Sequence, residues 1–268
     1  MIDLMALIPP IVTVMEKACK NASKSLIRDF GELEKLQISR KDMNDFVSSA
    51  DIKSSKSIAY SLNKDKPDFL QIDEETYKIS DKEKLNLDTP IFIVDPLDGT
   101  LNFMHGIPFF AISIGLVVKK EIIAGVIYNP ILNEFFWAHK GMGTWLNGTR
   151  IRVSNRRHLE DCMIATGFQI KNQSSLPSYF KEFESIGSKS GIRRLGSAAM
   201  DLAYVANGKF DGFWEHNLHM WDIAAGIILV QEAGGIVVNE KGQSFDLSSD
   251  LSLIASNPSI YQELANNL

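Results

Sequence analysis

Ile91-Phe92-Ile93-Val94-Asp95-Pro96-Leu97-Asp98-Gly99-Thr100 runs from an unbroken apolar segment straight into two carboxylates. The first four residues show neither helical nor alternating periodicity. Such a run predicts a strand buried on both faces. Pro96 then fixes one φ angle, and Gly99 permits a tight turn or a close backbone approach. Asp95 and Asp98 stand three residues apart with a backbone carbonyl between them, so both carboxylates can address one point. An oxygen-only donor set of this kind suits Mg²⁺ or another hard cation. The amides of Gly99 and Thr100 fall where a helix can begin, a place that favours phosphate. The same letters also describe an ordinary acidic turn, and their spacing alone does not choose between the two.

Upstream, Ile11, Met15, Ala18, Ala22, Leu26 and Phe30 recur at three- and four-residue steps. They predict an amphipathic helix with Pro10 in its first turn. A second helix is expected over 51–62, burying Ile52, Ile58 and Leu62, and broken by Lys64-Asp65-Lys66-Pro67. A short strand is expected over 69–72 and a polar loop over 80–89. Downstream, strands over 110–118, 122–129 and 134–138 with short connections predict an antiparallel meander reaching about residue 153. The remainder alternates strands (163–166, 210–214, 236–238, 253–255) with helices (179–186, 197–206, 222–233, 258–265). Mixed elements in this order suggest layers. No linker or repeat interrupts them. The expectation is a single domain over 1–268, whose subregions of about 1–153 and 154–268 share one core and one site.

The chain has 268 residues, 45% hydrophobic and 23% charged, with a net charge of −5. These values fit a soluble globular protein and exclude disorder, collagen and coiled coil. No basic run supports binding to nucleic acid by phosphate neutralisation. The acidic balance leaves anionic substrates open, because a bound cation reverses the local sign. Cys19 and Cys162 are too few for a disulfide scaffold and read as reduced thiols. No apolar run is long enough to span a membrane. The apolar start carries Asp3 and meets Pro9-Pro10, a poor signal peptide. A cytoplasmic location is the expectation, with the Asn-x-Ser/Thr triplets at Asn21, Asn147 and Asn172 expected to stay unmodified.

Further acids accompany the central motif. Asp73-Glu74-Glu75 follow the expected short strand and read alone as a wet surface turn. Asp222 follows Trp221 at a strand-to-helix passage, and Asp51 follows Ser48-Ser49; each reads alone as a helix N-cap. Together they form a pattern. Ile72-Asp73-Glu74-Glu75-Thr76, the Asp95 to Thr100 hexapeptide and Trp221-Asp222-Ile223-Ala224-Ala225-Gly226 resemble the inositol monophosphatase superfamily of metal-dependent phosphatases. Gly196-Ser197-Ala198-Ala199 and Glu215 stand between them. Upstream, Lys41-Asp42-Met43-Asn44-Asp45-Phe46-Val47 leads into Ser48-Ser49-Ala50-Asp51. The resemblance covers nearly the whole chain in order. It is nearest to the bacterial inositol-1-monophosphatases of the extragenic-suppressor SuhB type.

The resemblance implies an α+β, layered αβαβα sandwich and a homodimer. It implies two or three Mg²⁺ ions per site. The first is held by Glu74, Asp95 and the Leu97 carbonyl, and the second by Asp95, Asp98 and Asp222. A third, looser ion leans on Glu74. Thr100, with Asp51 nearby, orients the attacking water, and Glu74 shares the catalytic role. Gly99 and Thr100 amides hold the phosphate, with Asp98 alongside. Gly196, Ser197, Ala198, Glu215 and Arg193 face the alcohol. The implied reaction is hydrolysis of a small phosphate monoester, inositol 1-phosphate foremost, by metal-activated water and with lithium sensitivity. An aspartyl-phosphate route competes, and the resemblance decides against it. Fructose 1,6-bisphosphate, histidinol phosphate and 3′-phosphoadenosine 5′-phosphate are the alternative substrates. The short Glu74-to-Asp95 connection resembles the inositol monophosphatase branch. SuhB-type relatives also suggest a second role, as a partner of RNA polymerase and Nus factors.

The chain departs from the family pattern at Leu101, where a second threonine is frequent, at Ser48-Ser49, and at Asp73, where glycine is frequent. Other readings carry less. His216, His219 and Asp222 have zinc-like spacing only if all lie on one helix. Gly141-Met142-Gly143 lacks the rest of a dinucleotide loop, and no P-loop is present. The Phe109-Phe110 and Phe135-Phe136-Trp137 clusters read as core or subunit contact, and Arg156-Arg157-His158 as a solvated turn.

Overall fold

The computed structural model describes residues 8–33, 40–77, 89–168, 176–247, 249–250 and 252–268, with side chains of the second stretch from residue 49 onward. Most of the loop expected over 80–89, the side chains of Lys41 to Ser48, and Asn172 therefore lie outside the described residues.

Five layers stack in the order helix, sheet, helix, sheet, helix. The outer layer pairs α1 (Pro10–Leu33) with α2 (Arg40–Asp65). The apolar stripe of α1 drives the packing: Met15, Leu26 and their neighbours join Ile58, Phe92, Ile112 and Val126 in one buried cluster. Beneath lies a sheet whose spatial order follows the sequence, β1 (Leu70–Asp73), β2 (Ile91–Asp98), β3 (Ala111–Val118), β4 (Glu121–Asn129), β5 (Glu134–His139), β6 (Gly143–Leu146) and β7 (Thr149–Ile151). Only β1 and β2 are parallel; the remainder is the expected meander. A short helix, α3 (Thr100–Met104), leads out of β2.

The second sheet contains β8 (Met163–Thr166), β9 (Gly191–Arg193), β10 (Gly212–Glu215), β11 (Ile236–Asn239) and β12 (Leu253–Ser256), in the order β11-β12-β10-β8-β9. Helices α5 (Ala198–Ala206) and α6 (Met220–Glu232) fill the space between the sheets. Their Leu202 and Ile228 share a cluster with Ile127 and Phe136 of the first sheet and Phe213 and Ala255 of the second. Helices α4 (Leu176–Gly187) and α7 (Tyr261–Ala265) cover the far face, where Tyr179, Ile186 and Leu264 pack on Ile164 and Trp214.

The middle layer sits unusually close to the first sheet because two strand positions lack a side chain. A Cβ at Gly115 would stand 2.7 Å from the Ala224 Cβ. At Gly125 it would stand 2.8 Å from the Ala225 backbone and 2.7 Å from Ile228. These glycines let α6 bring its N-terminal Asp222 over the carboxyl end of β2. Gly125→Val is expected to lower unfolding stability by about 3 kcal/mol, because backbone cannot move aside as a side chain can. The midpoint of urea unfolding measures it.

Several expected elements shift. α2 begins at Arg40 rather than at 51, which puts Asp51 inside the helix and not at its cap. Ile52 faces outward at 39% exposure, while Asp51, Ser54, Ser55, Ile58 and Leu62 form the inward stripe. β10 runs from Gly212 to Glu215 rather than 210–214. α7 starts at Tyr261. α6 starts at Met220, so Asp222 occupies its third position rather than its cap. Arg156, Arg157 and His158 are exposed, as expected, and Arg156 Nη1 also lies 3.0 Å from Asp211 Oδ1, a carboxylate that accepts from the Met163 amide as well. Phe110, Phe136 and Trp137 are core, and Cys19 and Cys162 are free and buried.

Candidate active site

The strand expected to stop at Val94 continues to Asp98, and its irregularity builds the site. Successive strand residues face opposite sides, so positions three apart point away from each other. Here the register against β3 slips between Asp95, opposite Ser113, and Asp98, opposite Ala111. The extra residue on β2 reverses the parity, and both carboxylates come to the same side. Pro96 suits the slip because it has no N–H to leave unpaired. The Leu97 amide donates to Asp95 Oδ1 at 3.0 Å, and Ser54 Oγ on α2 donates to the Pro96 carbonyl at 2.8 Å.

Gly99 follows with φ +89°, at the cap position of α3. Any Cβ there would press within 3.3 Å of Phe109 and Phe110. Thr100 Oγ1 donates to the Leu97 carbonyl at 3.1 Å, leaving its lone pairs free to accept. Asn102 Nδ2 donates to the Phe109 and Leu195 carbonyls, each at 2.7 Å, and so ties α3 to the loop that carries Gly196.

Carboxylates from three further elements, α2, β1 and α6, meet this turn. Asp98 is held at the N-terminus of α5, where its Oδ2 accepts from the Ala199 amide at 2.9 Å and from Ser197 Oγ. Burial pushes Asp98 up to about 6 against the pull of these bonds. Asp222 Oδ2 accepts from the His219 amide at 2.7 Å. Burial first, then the charges of Asp98 and Glu74, raise it well above the carboxylate range. Glu74 lies just past β1, exposed at the lip. Burial of its carboxyl end and the charges of Asp98 and Glu75 push it up to about 7, although a hydrogen bond with Asp95 opposes the rise. Asp95, buried, is raised by burial and by Glu74, Asp98, Asp222 and Asp51 together. Asp51 rises to about 8 from burial and from Glu75 and Glu74. Asp73 is a structural acid. It is 2% exposed, with Oδ1 accepting from Ser55 Oγ and the Glu75 amide, so the expected wet turn starts one residue later.

Mutually repelling buried carboxylates are tolerated when protonated or when a cation joins them. Asp51 Oδ1 has no hydrogen-bond partner. The donors are carboxylates and the Leu97 carbonyl, hard oxygens that suit Mg²⁺ rather than zinc. The set therefore fits a divalent ion in donor type and charge. Among the described residues no three acidic, His or Cys side chains form a preformed cage. The zinc-like spacing at 216–222 is not used: His216 Nε2 pairs with Glu182 at 2.8 Å, and His219 stacks on Trp221.

Beyond Asp98 opens a cavity of about 200 Å³, lined by Gly196, Ser197, Ala198, Glu215 and Asp222 among others. Burial and the Asp98 charge push Glu215 up to about 8, while Arg194 pulls it down. Of the paired arginines, Arg194 lines the cavity and sits 4.8 Å over the Phe168 ring. Arg193, the expected contact, turns its Nη1 to the Ile192 carbonyl instead. Sequence reasoning also missed Asp201, which lines the same wall. One signal was available for it: an acid in the otherwise apolar Ala198-Ala199-Met200-Asp201-Leu202-Ala203. A larger cavity of about 530 Å³ beside His216 and Lys241 carries no comparable convergence of acids.

A family model described as the inositol monophosphatase family matches residues 9–268. The chain is 42% identical to an inositol-1-monophosphatase of Caulobacter vibrioides over 257 residues, 95% of this chain and 99% of that protein. It is 36% identical to the Nus factor SuhB of Pseudomonas aeruginosa over 262 residues, 97% of this chain and 96% of that protein. Among solved structures, the extragenic suppressor protein suhB of Bartonella henselae superposes with a TM-score of 0.84 at 45% identity, covering 97% of this chain and 99% of that one.

Proposed function

Since this chain belongs to the inositol monophosphatase family of phosphatases, we propose that it hydrolyses inositol 1-phosphate to inositol and phosphate with Mg²⁺ as cofactor. The observation that carries this reading is the slip in β2, which turns Asp95 and Asp98 to one side, facing Glu74, Asp51 and Asp222. Glu74, Asp95 and the Leu97 carbonyl would hold one ion, Asp95, Asp98 and Asp222 a second, and Glu74 would support a third. Bound there, Mg²⁺ supplies Lewis acidity toward the phosphate and lowers the pKa of water.

The protein's own groups do the rest. The Gly99 and Thr100 amides receive phosphate oxygens. The Thr100 hydroxyl, its proton committed to the Leu97 carbonyl, accepts a hydrogen bond from the attacking water and aims it. Asp51, with Glu74 beside it, takes up the proton that the attacking water releases. The Gly196–Ala198 loop and Glu215 receive the alcohol.

The test is phosphate release from inositol 1-phosphate, fructose 1,6-bisphosphate, histidinol phosphate and 3′-phosphoadenosine 5′-phosphate, with and without Mg²⁺. The expected result is Mg²⁺-dependent release with the highest kcat/KM on inositol 1-phosphate. Release that ignores chelation overturns the metal assignment, and a higher kcat/KM on another ester moves the substrate. The similarity to Nus factor SuhB favours a second role in binding the transcription machinery. Pull-down of RNA polymerase and Nus factors by wild type and Asp95→Asn tests it, and retention by both separates that role from catalysis.

A further inference from the structure

We propose that Asp201 is a further specificity-determining residue: its carboxyl accepts a hydrogen bond from a free hydroxyl of the substrate's alcohol, so that the enzyme selects phosphate esters of polyols. The inference rests on the phosphatase reading above and deepens it.

Asp201 is 1% exposed, and its Oδ1 has no hydrogen-bond partner. Buried carboxyl oxygens are nearly always paired, and one left unpaired calls for an explanation. Packing does not supply it. Ala198, Ala199, Met200, Leu202 and Ala203 around it on α5 are all buried and apolar, and an apolar residue would serve that place. Asp201 instead lines the cavity that also holds Glu215, Arg194 and Gly196. It feels the negative charges of Glu215 and Asp98 and the positive charge of Arg194.

The chemistry of that wall selects its ligand. An acceptor without a donor is satisfied by a hydroxyl, which brings a proton. A second phosphate brings acceptors alone and leaves Oδ1 without a donor. An apolar alcohol brings nothing and leaves the carboxyl unpaired. A polyol monophosphate therefore suits this end, with Glu215 and Asp201 reading separate hydroxyls. Gly167 supports the arrangement, since a Cβ there would collide with the Glu215 carboxylate at 2.2 Å.

The experiment compares inositol 1-phosphate with phenyl phosphate, whose alcohol has no second hydroxyl, on wild type, Asp201→Leu and Asp201→Ala. Leucine matches the branched shape of aspartate without its polarity, and alanine serves if leucine does not fit. The expected result is a KM for inositol 1-phosphate raised about 10-fold, with kcat/KM for phenyl phosphate within about twofold of wild type. Asp201→Leu is expected to melt no lower than wild type, because it removes an unpaired buried carboxyl. Parallel losses on both esters, or an unchanged ratio between them, overturn the inference and leave the phosphatase reading standing. A wild-type enzyme that releases phosphate from neither ester overturns both.

Discussion

Asp95→Asn is expected to lower kcat/KM for inositol 1-phosphate by about 10³-fold or more while the protein stays folded. The metal contribution to a phosphate hydrolysis is several kcal/mol, and each tenfold in rate is about 1.4 kcal/mol. Asp95 serves both proposed ion sites, so its loss weakens both at once. The substitution keeps shape and keeps an oxygen for the Leu97 amide, which donates at 3.0 Å. Stability is expected to move the other way. Burial and four neighbouring carboxylates raise the Asp95 pKa in the folded protein. An acid with a raised folded-state pKa loses stability as pH climbs from its unfolded value toward the folded one. The amide escapes that loss, so without divalent ions the variant melts higher than wild type at pH 7. Added Mg²⁺ raises the Tm of wild type and leaves the variant nearly unmoved. Retention of half the activity, or an equal Mg²⁺ shift in both proteins, removes Asp95 from the shared position.

Thr100→Ala is expected to lower kcat about 10²-fold with little change in KM, the pattern of a group that acts on the reacting water rather than on bound substrate. Its hydroxyl donates to the Leu97 carbonyl at 3.1 Å, which directs its lone pairs outward. Alanine removes this acceptor and releases the carbonyl. Thr100→Ser keeps the hydroxyl and is expected to restore most of the rate. Steady-state kinetics on inositol 1-phosphate decides: an unchanged kcat in Thr100→Ala, or a serine variant as slow as alanine, takes Thr100 out of the water's path. Leu101, at 53% exposure, stands outside this contact, which explains how the chain carries leucine at that position.

Particular residues show how far linear reading reaches. The amphipathic stripe of α1 appears in local periodicity, because burial of one helix face is written at every third or fourth residue, and β3 to β5 appear as apolar runs between turn residues, buried on both faces. The end of β2 does not. A strand stop after Val94 is the natural reading of Asp95-Pro96, and only pairing with β3 shows that the strand continues through a slip. Asp51 reads as a cap because Ser48-Ser49 precede it. The inward stripe it shares with Ile58 and Leu62 emerges once α2 is seen to begin at Arg40. Arg193 and Arg194 look alike in the sequence, and only packing against Phe168 shows that Arg194 is the one at the cavity.

The sequence by itself determined the donor chemistry: carboxylates and a carbonyl beside a glycine turn, with no thiolate or imidazole among them, suit a hard cation in any fold that gathers them. It also determined the family, through the order of its acidic motifs. Tertiary structure alone decided that those acids meet. Asp95 and Asp98 share a side because the slip against β3 reverses strand parity. Asp222 reaches them because Gly115 and Gly125 let α6 lie close on the sheet. Asp201 lines the cavity because it stands three residues past Ala198, on the same side of α5. Each is a relation between segments distant in the chain, and local residue preferences carry no record of it until packing brings the segments together.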